Sequence, residues 1–327
     1  MQPTTQNTSR KNLFIALGVF LVVVIIGLAF ASSRAATSYI SLEAEQGAIT
    51  SGSPQVVTDS TASASKYLRF MAPSSDGGGT GGSTPGTVDL TDPKKKDIAM
   101  QLVSSSENSS LDWKAQYAYI EYNVEGNEAE NRGYTAGIIG FCTKCSDLQA
   151  VVNYYNQIKP NNVLTPYIPA LQKVVGTTST AGLGTPFVNA WKTAAKDVSF
   201  QEAQDHERDR VYFTPAVTQA KSDGLKALGQ FIYYDALVMH GPGSDSLSFG
   251  GIRAAALKKA KTPTQGGNET TYINAFLDAR KDAMLAEEGH SDTTRVDTMQ
   301  RTFLQAGNLN LDPPLNWSVY GDKYSIK

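Results

Sequence analysis

Residues 89–327 are predicted to adopt an α+β fold, predominantly α. Apolar residues recur there at helical spacing behind recognisable start signals, segment after segment. Only one short stretch reads as a strand, and helices and strands do not alternate as βαβ units. The first helix opens at Asp92-Pro93, an N-cap followed by proline at the first helical position. It runs to about Ser105 with Ile98, Leu102 and Val103 on one face. The chain turns at Glu107 before a helix expected around Leu111 to Glu121. Tyr134 to Phe141 (YTAGIIGF), short and apolar after Gly133, is the strand. Ser146 caps a helix carrying Leu148, Val151, Val152 and Tyr155. Thr185-Pro186 opens another with Phe187, Ala190, Trp191 and Ala194. A long helix is expected from about Asp223 to His240, and two more over roughly 269–288 and 293–306. No internal repeat is present.

The segments before this domain have a different character. Arg10-Lys11 precedes an uninterrupted apolar run from Leu13 to Phe30. That is long for the core of a signal peptide and just sufficient to span a bilayer. The basic residues keep the N-terminus cytoplasmic, and Ala29-Phe30-Ala31 offers small residues for cleavage. Residues 1–36 therefore form a signal peptide or an N-terminal membrane anchor, the only membrane contact expected. The rest works outside the cytoplasm, secreted or anchored to the outer face of the cytoplasmic membrane. Residues 37–72 alternate short β-prone runs with turns, and Leu42-Glu43-Ala44-Glu45 and Ala64 to Phe70 resemble the opening strands of sugar-binding β-sandwich modules. A sandwich needs about 100 residues, so this is a truncated relative of one. Residues 73–88 (PSSDGGGTGGSTPGTV) have nothing to bury and form a flexible linker.

Several chemistries are excluded. A formal charge of −2 leaves no basic footprint for nucleic acid. Cys142 and Cys145 are spaced C-x-x-C, but no second ligand pair follows for zinc. They form a local disulfide or remain two thiols, and no metal is expected. No glycine-rich phosphate loop precedes a helix, and there is no G-x-S-x-G elbow. His206, His240 and His290 are scattered, none paired at i, i+4. What remains abundant is carboxylate and aromatic side chains, the toolkit of a glycoside hydrolase. Glu121, Glu125, Glu128 and Glu130 crowd one stretch, answered by Arg132. Such a cluster is commonly a solvated loop, and it also suits a cationic ligand.

Glu107 stands out within Ser104-Ser105-Ser106-Glu107-Asn108-Ser109-Ser110. At the end of a helix it faces the negative end of the dipole, which favours the protonated form that a general acid needs. The surrounding stretches SSSENSSLDWKAQYAYIE, NRGYTAGIIGFC, ERDRVYF, DGLKALGQFIYYDALVMHGPG, QGGNETTYINAFLDARKDAML, TRVDTMQR and AGNLNLDPPLNW closely resemble the family 46 glycoside hydrolases, the bacterial chitosanases. The resemblance covers essentially all of residues 89–327.

That resemblance implies a lysozyme-like two-lobed fold with a small β-sheet beside the substrate cleft. It implies inverting endo-hydrolysis of β-1,4-linked glucosamine in chitosan without a metal or organic cofactor. The family's acid, in S-x-E-N-S, is Glu107. Its base stands two residues before Arg-Gly-Tyr-Thr, here Arg132 to Thr135, and so falls on Glu130, with Thr135 holding the attacking water. Two departures accompany this match: the family has Asp at the base position, and the segment from Glu121 to Glu130 is longer here. One extra methylene moves the carboxylate, and an ångström-scale misplacement costs about a hundredfold in rate. The longer loop either compensates or presents Glu128 or Glu125 instead. Asp147, Glu121, Glu287 and Tyr212 match substrate-binding positions, and acidic subsites select an amino-sugar polymer by charge. Asp235, Arg280 and Arg295 match a charged network behind the base, with Arg132 beside it. Trp113, Trp191 and Trp317 also match and are expected to be mainly structural. The alternatives are a lysozyme-like peptidoglycan hydrolase and a non-catalytic surface protein that binds amino-sugar polymers.

Overall fold

A computed structural model describes residues 54–58, 66–70, 89–124, 126, 131–287 and 291–327. The chain divides into two compact units, residues 1–82 and 83–327. In the first, strands β1 (Pro54–Thr58) and β2 (Lys66–Phe70) pair antiparallel. The apolar run Leu13–Phe30 and the linker 73–88 lie outside the described residues. Among the described residues, no helix is long and apolar enough to cross a membrane.

The second unit opens with α1 (Pro93–Glu107). The Asp92 carboxylate accepts from the Lys94 and Lys95 amides, and Pro93 occupies the turn where a missing N–H costs nothing. In place of a helix over 111–121 there is a single 3₁₀ stretch, Trp113–Ala118, and then strand β3 (Ile120–Tyr122). The aromatic and β-branched run Tyr119-Ile120-Glu121-Tyr122 favours extended backbone. The strand expected over 134–141 is two strands, β4 (Tyr134–Ala136) and β5 (Phe141–Cys142), in antiparallel order β3-β4-β5. Gly137 and Gly140, at φ +77° and +72°, reverse the chain between them. A Cβ on Gly137 would meet Gln204 Oε1 at 2.3 Å. The register sets Glu121 opposite Thr135, and Thr135 opposite Cys142.

Helices α2 (Asp147–Ile158), α3 (Ile168–Val174), α4 (Gly184–Ala194) and α5 (Val198–Arg208) follow. Ser146 holds the N-cap position of α2 but makes no side-chain cap hydrogen bond, because its backbone is left-handed at φ +76°. After α5 come α6 (Thr214–Ser222), α7 (Ala227–His240), α8 (Phe249–Lys259), α9 (Glu269–Ala286) and α10 (Arg301–Gln305). Helix α7 begins at Ala227 rather than Asp223, because Gly224 turns at φ +81° and the Asp223 carboxylate is tied to Arg253 and Tyr233. The chain ends in the hairpin β6 (Leu315–Val319) and β7 (Asp322–Ile326).

Apolar side chains collect into two cores. One joins α1 with α6 to α10 and β6, and the other joins the three-stranded sheet with α2 to α5. Helix α5 passes through a π-helical turn, Asp209–Phe213, into α6. One rod thus places Phe200 in one core and Ala216 in the other. Pro215 explains the wider turn, since it cannot bond back to the preceding turn of helix. A second π-helical stretch, Arg295–Gln300, leads into α10 and replaces regular helix over part of 293–306. The result is the two-lobed, mainly helical α+β architecture that was expected.

Trp191 is fully buried, and its Nε1 donates to the Tyr117 carbonyl at 3.1 Å. Trp191→Ala should cost about 3–5 kcal/mol in urea unfolding. Val198→Ser, at a residue 75% exposed, should stay within about 0.5 kcal/mol.

Candidate active site

Elements of the two cores enclose a cavity of about 440 Å³. From the first come Glu107, Met239, Arg295 and Tyr320. From the second come Tyr119, Arg132, Thr135 and Ile139. Glu107 is the last residue of α1, and the helix end is pinned. Asn108 N–H closes on the Ser104 carbonyl at 2.8 Å, and buried Trp317 reaches from β6 to donate to Ser105 Oγ at 3.1 Å. Trp317 and Trp191 are core residues, as expected. Trp113 packs against both cores and donates to Asp97.

The Glu107 carboxylate accepts from Arg295 Nη2 at 2.5 Å. Arg295 Nε also donates to Asp235 at 2.9 and 3.0 Å. Arg280 Nη1 and Gln300 Nε2 each reach Asp235 Oδ2 at 2.7 Å. Asp235 and Arg280 have no solvent exposure. Burial pushes the Asp235 carboxyl up, but Arg295 and then Arg280 outweigh it and hold it below the usual carboxylate range. Through Arg295 this network adjoins Glu107, the residue matched to the acid. Glu130, with Glu125 and Glu128, lies outside the described residues. The helix-end reading of Glu107 also lacked its cation.

Arg132 lines the cavity and acts electrostatically on Asp147 and Tyr212. Asp147 opens α2. Its Oδ1 accepts from the Cys142 and Leu148 amides at 2.7 and 2.8 Å, and its Oδ2 from the Tyr212 hydroxyl at 3.1 Å. Tyr212 sits on the π turn between α5 and α6. Burial pushes the Asp147 carboxyl above its ordinary value, and these donors and Arg132 offset that only in part. Thr135 Oγ1 and Ser106 Oγ are buried beside the cavity with no hydrogen-bond partner among the described residues. Glu121 is exposed on β3 and accepts from Tyr119, and Glu287 follows the end of α9; like Asp147 and Tyr212, they are not among the residues lining this cavity.

Cys142 and Cys145 are joined as a disulfide. With Asp147 they bring donor atoms within 4.8 Å of one another, but both sulfurs are committed to each other. His206 stacks on Tyr154 with ring centroids 3.7 Å apart, and His240 Nε2 accepts from Arg280. Sequence reasoning missed Gln300 and Tyr320. The Tyr320-Gly321 turn, with φ +55° and +89°, is a two-residue hairpin connection. The alternation of buried Leu315, Trp317 and Val319 before it is the signal that could have revealed the hairpin.

A carboxylate pinned by an arginine thus lines a cavity between two mainly helical lobes, a setting in which a carboxyl can act as acid or base. Comparison with known proteins narrows this. The model of "Glycosyl hydrolase family 46" matches residues 101–315. The chain is 65% identical over 237 residues to a chitosanase of Streptomyces sp. (strain N174), covering 72% of this chain and 84% of that protein. It is 64% identical over 239 residues to a chitosanase of Nocardioides sp. (strain N106), covering 73% and 84%. A co-crystal structure of chitosanase OU01 with substrate is similar at TM-score 0.70 and 57% identity, over 74% of this chain and all of the other. The chain belongs to glycosyl hydrolase family 46.

Removing the Asp235 charge leaves two buried guanidinium groups without their central partner. Asp235→Asn should lower stability at neutral pH by about 3–5 kcal/mol. A carboxyl held low in the fold gives stability that is present above the ordinary carboxylate range and lost as pH falls through the folded value. The gap between wild type and Asp235→Asn in urea unfolding should therefore narrow in acid.

Proposed function

We propose that this chain hydrolyses β-1,4 linkages between glucosamine units of chitosan with inversion, Glu107 serving as acid and Glu130 as base. The observation that carries this is a carboxylate, Glu107, pinned to the cavity wall by Arg295, with the Thr135 hydroxyl, unpaired among the described residues, in the same lining. Family membership supports it, as does the similarity to a chitosanase, OU01, that was co-crystallised with its substrate.

In this reaction Glu107 gives its proton to the glycosidic oxygen as the C1–O bond breaks. Water attacks C1 from the opposite face and yields its proton to Glu130, so the new hydroxyl has the inverted configuration. Thr135 supplies a hydroxyl to hold that water. Arg295 receives the carboxylate that Glu107 becomes, so the pair is strongest after proton transfer, where stabilisation lowers the barrier. Asp147, steadied by Tyr212, takes a substrate ammonium. Acetylated chitin and peptidoglycan lack that cation, which favours chitosan over the peptidoglycan reading. The apolar segment Leu13–Phe30 supports export, where such a polymer would be met.

A reducing-end assay on chitosan, chitin and peptidoglycan should show release from chitosan. Glu107→Gln should lower turnover by at least about a hundredfold while glucosamine oligomers still bind; unchanged turnover would remove Glu107 from the reaction. Oligomer affinity in a wild-type protein that cuts nothing would favour the non-catalytic reading. Among the loop acids, Glu130→Gln should lower turnover by about a hundredfold or more, and Glu125→Gln and Glu128→Gln should not. The reverse pattern transfers the base to the loop acid whose substitution stops turnover.

A further inference from the structure

The disulfide takes no part in the chemistry above, yet it stands next to the substrate-binding carboxylate. Cys142 ends β5, opposite Thr135, and its backbone N–H donates to Asp147 Oδ1 at 2.7 Å. The Cys145 amide points back to Cys142 Sγ at 2.8 Å. Between Cys145 and Asp147 stands Ser146, an exposed residue in the left-handed region at φ +76°. A serine there is strained, and such a conformation persists only where its surroundings over-determine it. Ser146 contributes no side-chain cap bond that would hold it. It is constrained by the crosslink on one side, by the amide-bound carboxylate on the other, and by α2, whose Ala150 N–H donates to the Ser146 carbonyl at 3.1 Å. The intervening residues are tied to the strand carrying the family motif: Thr143 N–H donates to the Tyr134 carbonyl at 2.9 Å, and Lys144 N–H to the Arg132 carbonyl at 3.1 Å.

We propose that the Cys142–Cys145 disulfide is a positioning element for the reaction, holding the 142–147 turn so that Asp147 presents Oδ2, beside Tyr212, to a substrate ammonium. The inference rests on the reading of Asp147 as the ammonium-binding carboxylate. Opening the crosslink releases Ser146 toward ordinary backbone conformations and moves the Cys142 amide off Asp147. The carboxylate remains, but its direction is no longer fixed. Because Asp147 would contact bound substrate and transition state alike, the effect falls on affinity and KM rather than on kcat.

The test is a double-mutant cycle in inactive Glu107→Gln protein, with a glucosamine hexamer as probe and calorimetry as readout. Cys145→Ser should weaken binding about five- to tenfold, the scale of one net hydrogen bond. Asp147→Asn should weaken it at least as much. Cys145→Ser added to Asp147→Asn should then change affinity by less than about twofold, because the positioned group is gone. A purely structural crosslink would weaken both backgrounds equally, and that result, or no effect of Cys145→Ser at all, overturns the proposal. Reduction of the otherwise unmodified enzyme checks the same point without mutation. Dithiothreitol delivers two electrons and two protons, leaving two cysteine thiols and its own cyclic disulfide. KM on chitosan should rise with kcat nearly unchanged and recover on reoxidation; a fall in kcat alone contradicts the proposal. Wild-type protein that binds the hexamer but never cleaves chitosan overturns the functional reading and leaves this cycle readable. Failure of Asp147→Asn to weaken binding overturns the inference and leaves the hydrolytic reading standing.

Discussion

One guanidinium, that of Arg295, joins the interior of the protein to its cavity. It is held between Asp235, which sees no solvent, and Glu107, which does. Arg280 completes a cluster of two cations and two anions. Neither arginine could be buried without Asp235, because an unpaired interior charge costs several kcal/mol. Glu107 in turn cannot drift, because its partner is fixed from behind at several points. In the proposed reaction the cluster is complete when Glu107 is ionised, the state produced as the glycosidic bond breaks. A burial constraint and a catalytic requirement meet in one contact.

The helices that deliver these groups are irregular where they do so. Tyr212 lies on the π turn between α5 and α6, and Arg295 and Gln300 lie on the one before α10. A π turn widens the helix and rotates its side chains out of the regular register, and such turns often mark functional sites. The first also joins the two cores in a single rod. The same geometry that makes two lobes therefore brings Tyr212 from one to Asp147 in the other.

Much of the frame was legible in the sequence, and for local reasons. Asp92-Pro93 announced α1 because a cap and its proline act within one turn. Trp191 and Phe187 announced α4 because their spacing fixes one buried face. Failures followed where tertiary contacts overrode local pattern: Gly137 and Gly140 broke an apolar run that reads as one strand, and Asp223 turned the chain before α7. Helices α5 and α6 escaped notice because their sequence is polar and contains Pro215. Glu107 and its motif were legible as a resemblance. Its partnership with Arg295, 188 residues away, was not, because no periodicity links residues so far apart. The crosslink was foreseen as an option from spacing alone, but its hydrogen-bonded link to Asp147 needed coordinates.

The central claim is that an acid fixed by Arg295 and a water-activating base act on opposite faces of one sugar. Proton NMR of a glucosamine hexamer during its first turnovers measures this directly. Single displacement predicts that the α-anomer appears first and the β-anomer grows only by mutarotation. The β-anomer appearing first would contradict the account, because retention requires a covalent intermediate in place of direct attack by water.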